Sequence, residues 1–562
     1  MFNAFPLFYN IILTQALAYI ILWLVVVPQR NGEECDFMVT NDYQKEYDAV
    51  VIGAGNGGLT AAATLAGKGM KTLLIEQHNL PGGFATSFVR GRFEFEPSLH
   101  EISDFGPPED KGATRQLLED KIGLDLEWLR VPEAYRLIIP NEKGGRLDVV
   151  MPFGKEEYIS KLEEYVPGSR PYVTDFISLC EEVVNAFTYL AESKGKADKN
   201  VLMDKYPNFL KTASYSLQDV LDAMKIPYLA QKILTAYWCY LGLGTKQVNF
   251  TIFAAMFYKY VMRAAYVPKY RSHGFTVALD KRIRELGGEI LYNTKVEKIL
   301  VEDGKVVGVE TSKGDKIKTQ FVISNASPHL VYNQLIYPKE EIPDIALKTC
   351  NARKVSFSAF VVYLGLNKSP QELGINEYSY FVYSTPDTND IYKQFHELRR
   401  PTGQATVCLN NAIPDCSPEG TSIVYLTTLY SGDCWSKVEP KDYFELKNKI
   451  AEEMIDEFEK ALGINIRDSI EEIEVATPAT FASYTGAFNG SVYGYEPVPW
   501  DSVLPRMMCM NDEKYIKGLE FAGGFAFRCH GYSSSLQSGE TAALLTYKDF
   551  MEVKNNEQTV EH

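Results

Sequence analysis

Apolar residues along the chain fall into short blocks whose spacing changes from strand type to helix type and back. Asp48–Ile52 is a short apolar run of strand type, the Ala/Leu-rich stretch after it to about Ala66 is helical, and Lys71–Ile75 is a second strand. From 111 to 265 the pattern is largely helical, with apolar positions at helical spacing over Tyr158–Tyr165, Tyr172–Leu190, Leu217–Met224 and Tyr228–Tyr240. Phe250–Tyr266 is rich in Phe, Tyr and Met. After Gly287-Gly288, the segments Ile290–Val296, Lys298–Glu302, Val306–Thr311 and Lys316–Ile323 alternate as strands of a meander, with Asp303-Gly304 and Lys313-Gly314 as turns. Val355–Leu364 is a further strand, Leu519–Ala522 a buried one, and a last helix opens at Gly531-Tyr532-Ser533 and runs to about Phe550.

The first block carries the most specific chemistry. Between its first strand and its helix stands Gly53-Ala54-Gly55-Asn56-Gly57-Gly58, a G-x-G-x-x-G spacing, and Glu76 stands at the end of the second strand. Gly53 allows the tight turn, Gly55 lets the backbone approach a pyrophosphate, and Gly58 lets helix and strand pack closely. The helix N-terminus offers free N–H groups and partial positive charge to that pyrophosphate. Glu76 is placed to accept hydrogen bonds from ribose hydroxyls. Strand, helix and acid in this order predict dinucleotide binding.

Length and composition narrow the classes. A chain of 562 residues is expected to form two or three domains. Net charge is −16 with no long basic block, which argues against a nucleic-acid partner. The nine cysteines are scattered, without a C-x-x-C pair or a Cys/His cluster at metal spacing, so reduced thiols and no metal site are expected. The 35 Tyr and 30 Phe leave ample material for an apolar cavity wall. Ile11–Val27 is an apolar run that, with the residues before it, could just cross a bilayer. Either it anchors a cytoplasmic, membrane-associated protein, or Met38 is the true start and residues 1–37 are an over-extension; a buried helix is the third reading.

Three further blocks carry a family resemblance. Leu80-Pro81-Gly82-Gly83-Phe84-Ala85-Thr86-Ser87 followed by Phe93-Glu94-Phe95-Glu96, the order Thr477-Pro478, Tyr484-Thr485-Gly486 and Gly490–Gly494, and the C-terminal Gly518–Gly539 block resemble the superfamily of phytoene desaturases, carotenoid isomerases and retinol saturases. The resemblance implies an α/β fold, an α+β two-domain flavoprotein. In it a Rossmann-type FAD-binding domain (45–110, 268–330 and 505–550) is interleaved with a substrate domain (111–267 and 331–504) that holds the helical insertion. Residues 1–44 and 551–562 are then an N-terminal segment and a tail. It implies FAD contacts at Gly53, Gly55, Asn56, Gly57, Gly58, Glu76, Gln77, Gly82, Gly83, Thr86, Ser87, Val296, Asn325, Gly523, Gly524, Tyr532 and Ser533, with the backbone near Lys295–Val296 against the adenine. The last helix would aim its N-terminus at the flavin pyrimidine edge, where reduction places negative charge.

For acid–base work the resemblance places His530, Tyr532, His100 and Glu96 near the flavin, with Arg528 as an anion contact. It implies an FAD-dependent oxidoreductase or isomerase acting on C–C or C=C bonds of a long apolar polyene lipid, by desaturation, saturation or cis–trans isomerisation. Electrons would pass to or from a transiently bound carrier, quinone or NAD(P)H. A polyunsaturated fatty acid as substrate would require a fixed cation such as Arg528, Arg263 or Arg271. Oxidation of an amine, and lipid carriage without catalysis on the same fold, compete with this reading.

Overall fold

The computed structural model describes residues 43–141, 145–193, 197–509 and 513–560, so the apolar run Ile11–Val27 and the choice between anchor and over-extension lie outside the described residues. A five-stranded parallel sheet is assembled from distant stretches: β1 (Ala49–Ile52), β2 (Thr72–Ile75), β3 (Glu289–Leu291), β4 (Val322–Ser324) and β5 (Leu519–Phe521), in the order β3-β2-β1-β4-β5. Its central strands are buried from end to end, which is why they read as unbroken apolar runs rather than alternating ones. Val51 and Leu74 face a core shared with helix α1 (Asn56–Gly67), while Val50 and Leu73 face a core shared with Val301 and Ile336 of a second, mixed sheet. Helix α2 (Arg271–Glu285) packs on α1, and so does α3 (Tyr532–Val560). Gly539 permits the second contact, since a Cβ there would stand 2.1 Å from the Gly57 carbonyl oxygen.

The stretch expected as a meander is divided between two sheets. Glu289–Leu291 and Val322–Ser324 join the parallel sheet, whereas Val296–Glu302, Lys305–Thr311 and Lys316–Lys318 form the second one with Lys45–Glu46 and Ile336–Tyr337. The reason is pairing: β3 bonds along β2 and β4 along β1, and β4 is buried from end to end there, which a free-standing hairpin could not offer it.

A seven-stranded sheet fills the other half. Its order is Ile470–Ala476, Ser358–Leu366, Ser422–Tyr430, Gly403–Cys408, Ser379–Tyr383, Tyr135–Pro140 and Arg146–Met151. One face, with Val362, Leu364 and Leu426, packs on helix Tyr443–Leu462. The other, with Val361, Tyr363 and Tyr425, belongs to the main core. The expectation of a largely helical 111–265 is corrected here, because Tyr135–Pro140 and Arg146–Met151 are strands of this sheet. The helices Lys155–Tyr165, Arg170–Glu192 and Phe250–Phe257 do form. The last helix continues to Val560, through the boundary expected at residue 551. Among the described residues no helix is long and apolar enough to cross a membrane, no cluster could hold a metal ion, and eight cysteines are free thiols.

Candidate active site

At the carboxyl ends of β1, β2, β4 and β5 lies a cavity of about 360 Å³. Loops beyond the strand ends of a parallel sheet are where such folds bind ligands. One end of this cavity is backbone. The turn Gly53–Gly57, Ile75–His78, Gly82–Ala85, Lys295-Val296 and Gly523-Gly524 wall it. A Cβ on Gly55 would stand 2.5 Å from Asn325 Nδ2, and one on Gly57 2.5 Å from the Gly523 nitrogen. Gly58 faces away from the cavity and lets α1 sit on the turn, since a Cβ there would be 1.9 Å from the Gly53 carbonyl oxygen.

Helix α1 opens at Gly55 with no side-chain cap and no acid in its first turn. Its free N–H groups therefore need an outside acceptor, which a pyrophosphate is. Glu76 sits at the end of β2, where its two carboxylate oxygens accept from Ala54 N at 2.6 Å and His78 N at 2.8 Å. The second loop runs against the first, with Gly82 N donating to the Ala54 carbonyl at 2.7 Å. Uncapped helix end, cradle that a Cβ would fill and carboxylate at the strand end together fit a dinucleotide such as FAD. Phe84 also lines this wall and packs on Phe481.

The other end is walled by side chains. Tyr240, Tyr260, Tyr383, Tyr493 and Tyr532 stand there with His100, Glu101, Thr427 and His530. A single turn of π-helix, Tyr258–Met262, follows Phe250–Phe257 and carries Tyr260 into the wall. Tyr240 Oη donates to Glu101 Oε1 at 2.9 Å. Its oxygen is then left to accept from His100 Nδ1 at 3.1 Å, and His100 Nε2 to accept from Thr427 Oγ1 at 3.4 Å. His530 stacks on Tyr493, with ring centroids 4.3 Å apart, and its Nε2 donates to the Tyr240 carbonyl at 2.7 Å.

Burial sets the protonation here. It pushes both His100 and His530 down to about 4, so both rings are neutral at pH 7. It pushes Glu101 up to about 8, with the nearby charge of Glu133 acting the same way and the Tyr240 hydrogen bond opposing. Glu96 is pushed up to about 7 by burial, against the Ser272 backbone N–H that its Oε2 accepts at 2.9 Å.

The residues singled out from the sequence thus divide. Gly53, Gly55, Asn56, Gly57, Glu76, Gln77, Gly82, Gly83, Val296, Asn325, Gly523, Gly524, Tyr532, His100 and His530 line the cavity. Gly58, Thr86, Ser87, Ser533 and Glu96 stand behind its wall. Ser87 donates to Glu94 at 2.5 Å and Ser533 to the Ser103 carbonyl at 2.6 Å. Glu96 accepts from the Ser272 backbone N–H, and the Ser272 hydroxyl is 2.7 Å from that of Tyr532. The three arginines considered for a carboxylate are not in the wall either: Arg271 pairs with Glu94, Arg263 with Asp110, and Arg528 donates to Gln537. Sequence reasoning missed Glu101, Tyr240 and Tyr260. The available signals were an acid directly after His100 and, for Tyr260, the Phe-, Tyr- and Met-rich stretch Phe250–Tyr266.

Comparison with known proteins follows the same lines. A family model described as flavin containing amine oxidoreductase matches residues 57–543. The chain is 26% identical over 521 residues to prolycopene isomerase 1 of an Oncidium hybrid cultivar, covering 89% of this chain and 83% of the relative. It is 24% identical over 532 residues to all-trans-retinol 13,14-reductase of Danio rerio, covering 88% of this chain and 85% of the relative. Among solved structures, an oxidoreductase from Methanosarcina mazei superposes with a TM-score of 0.57 at 17% identity, covering 88% of this chain and 99% of that one. Putrescine oxidase bound to putrescine gives 0.58 at 12% identity, covering 90% and 99%.

Proposed function

From the premise that the chain belongs to the flavin-containing amine oxidoreductase family, and so is an FAD-dependent oxidoreductase, we propose that its substrate is a long apolar polyene of the carotenoid or retinoid kind. The reaction is isomerisation, saturation or desaturation of its C=C system. The observation that carries this reading is the chemistry of the far wall. Ala359, Val361, Leu429 and Val492 join the tyrosines there, and the one lysine among the lining residues, Lys295, is at the nucleotide end. Burying an apolar chain in such a wall contributes about 0.8 kcal/mol per CH₂. A fatty-acid carboxylate would need a fixed cation beside it, and Arg263, Arg271 and Arg528 stand outside the lining. Relatives named for prolycopene and all-trans-retinol support the same class.

In this reading the Gly53–Gly58 turn and the α1 N-terminus hold the FAD pyrophosphate, Glu76 the ribose, and Lys295-Val296 the adenine edge. Gly523, Gly524 and the start of α3 at Tyr532 flank the flavin. FAD supplies two-electron hydride chemistry. The tyrosine wall excludes water and orients the polyene, and the neutral histidines fix Tyr240 from both sides. A quinone or nicotinamide would exchange electrons transiently in a net redox reaction, and isomerisation needs none. A second reading, oxidation of an amine, is favoured by one feature, the Glu101 carboxyl in an aromatic wall. It is weakened by the neutral state in which burial holds that carboxyl at pH 7.

Mass spectrometry separates the readings. Enzyme incubated oxidised and reduced with a poly-cis carotene, a retinol, a polyunsaturated fatty acid and a diamine should change only the first two. The product is either an isomer or a molecule differing by two hydrogens. Turnover of the amine alone would overturn the proposal.

A further inference from the structure

We propose that the segment Pro478–Gly490 is a strap clipped across the nucleotide end of the cavity, and that its clips set how fast FAD enters and leaves. The inference rests on the FAD site and is independent of the polyene reading above.

Both ends of the segment are tied to the seven-stranded sheet. Ile470–Ala476 leads into it and pairs with Ser358–Leu366, Ala476 standing opposite Val361. Helix Pro478–Thr485 then starts on a capping box, with Thr477 Oγ1 accepting from Thr480 N at 3.4 Å. At the far end Ser358 Oγ donates to the Gly490 carbonyl at 2.6 Å, and Val492 N to the Phe357 carbonyl at 3.0 Å. The part between these ties lines the cavity with Phe481, Thr485, Gly486 and Ala487. Gly486 stands over the residue that follows Glu76, since a Cβ there would be 3.8 Å from Gln77 Nε2.

Three rings clip the segment down. Phe481, Tyr484 and Phe488 are three and four residues apart, and each meets a ring from a loop beyond the parallel sheet. Phe481 packs on Phe84 of the second glycine loop, with centroids 5.8 Å apart. Tyr484 stacks on His78 at 4.5 Å and 17° from parallel, and its carbonyl accepts from His78 Nε2. Phe488 stacks on His329 at 4.9 Å and 18° from parallel. His78 follows β2 and His329 follows β4. Those two strands flank β1, whose end carries the Gly53–Gly57 turn, so the clips stand on either side of the pyrophosphate cradle.

Clips of this kind can open while the ends hold. Tyr484 and Phe488 are already 38% and 45% exposed and His78 is half-buried, so parting them uncovers little further apolar surface. The two ends of the segment also touch each other, because a Cβ on Gly490 would stand 2.2 Å from the Pro478 carbonyl oxygen. A loop whose ends are close and fixed can lift as a unit without disturbing the sheet it springs from. Phe481, Tyr484 and Phe488 are thus positioning residues for the strap, and the strap closes the side of the site that faces the glycine turn.

The test follows exchange of bound FAD for added carbon-13 FAD in the full-length, loaded protein, read by mass spectrometry. Tyr484→Ala and Phe488→Ala each remove a partly exposed ring, and alanine is well suited to the helix at 484. Each should speed exchange about 2- to 10-fold, the worth of one aromatic pair, and the double variant should exceed both. Tyr484→Phe keeps the stack and should exchange like wild type. So should Tyr215→Ala, which removes an exposed ring outside the lining. In low urea the wild-type exchange rate should rise far less steeply than global unfolding does, because lifting the strap exposes little surface. Unchanged exchange in the double variant, or exchange as steep in urea as unfolding, would overturn the strap and leave the FAD site and the polyene reading standing. Protein that purifies without flavin would instead overturn the FAD site together with its strap.

Discussion

At its nucleotide end the cavity is walled by backbone, and at its far end by rings. The first wall is made where side chains are missing, at Gly55 and Gly57, and one glycine turn with the strand and helix beside it builds most of it. The second is made of Tyr240, Tyr260, Tyr493, His100 and His530, which the fold gathers from five separate stretches. Backbone recognition serves a cofactor whose phosphates are the same in every member of a family. Side-chain recognition serves a substrate that can change without disturbing the cofactor. The contrast predicts that damage to one end removes the cofactor, while damage to the other spares it.

The largest effect is expected from Gly55→Val, whose added carbons meet Asn325 and the pyrophosphate path. The purified protein should carry no flavin absorbance, whereas a variant of the ring wall should be as yellow as wild type. Tyr240→Phe is the matching change at the other end. It removes the hydrogen bond to Glu101 and the acceptor for His100. Turnover should fall about tenfold with full FAD content, and stability should drop by about 1–3 kcal/mol in chemical denaturation.

A smaller effect concerns pH. Folded Glu101 and Glu96 keep protons up to about 8 and about 7, which unfolded glutamates lose near their ordinary 4.5. Their contribution to stability is therefore present below 4.5 and is lost as pH rises through 7 to 8. His100 and His530, lowered from 6.5 to about 4, act oppositely, and the stability they contribute is lost as pH falls from 6.5 toward 4. Above pH 6.5 the carboxylates act alone, so the melting temperature should decline from there to pH 8. Glu101→Gln should flatten that decline. The smallest effect is expected from Arg263→Gln. Its pair with Asp110 is largely exposed and away from the cavity, so turnover of a hydrocarbon polyene should stay within about twofold and stability within about 1 kcal/mol.

The same contrast explains how much could be read from the chain. The glycine turn, Glu76 and the buried strands are local patterns, and each appears where its spacing placed it. The strands Tyr135–Pro140 and Arg146–Met151 escaped notice because a short apolar run between helical stretches has no period of its own, and Ser379–Tyr383, the strand that joins this antiparallel pair to the sheet, lies more than two hundred residues on. The expected meander split because β3 and β4 find parallel neighbours that are distant in sequence. His100 and His530 were legible as polar residues in family motifs. Their meeting through Tyr240 was not, since Tyr240 and His530 are 290 positions apart and meet only once the chain between them has folded. Glu101 stood beside His100 in plain sequence, yet only burial distinguishes it from a surface acid.

The central claim is that an uncharged polyene lies in the ring-walled end against the flavin. Anaerobic titration of the FAD-loaded enzyme tests it directly, following the visible spectra of flavin and ligand together. A poly-cis carotene or a retinol should shift its own absorption band and perturb the flavin bands saturably. The Gly55→Val protein should show no flavin change, and a fatty acid or a diamine should have no effect on wild type. Flavin bleached by the diamine, with both polyenes leaving the spectrum untouched, would contradict the claim.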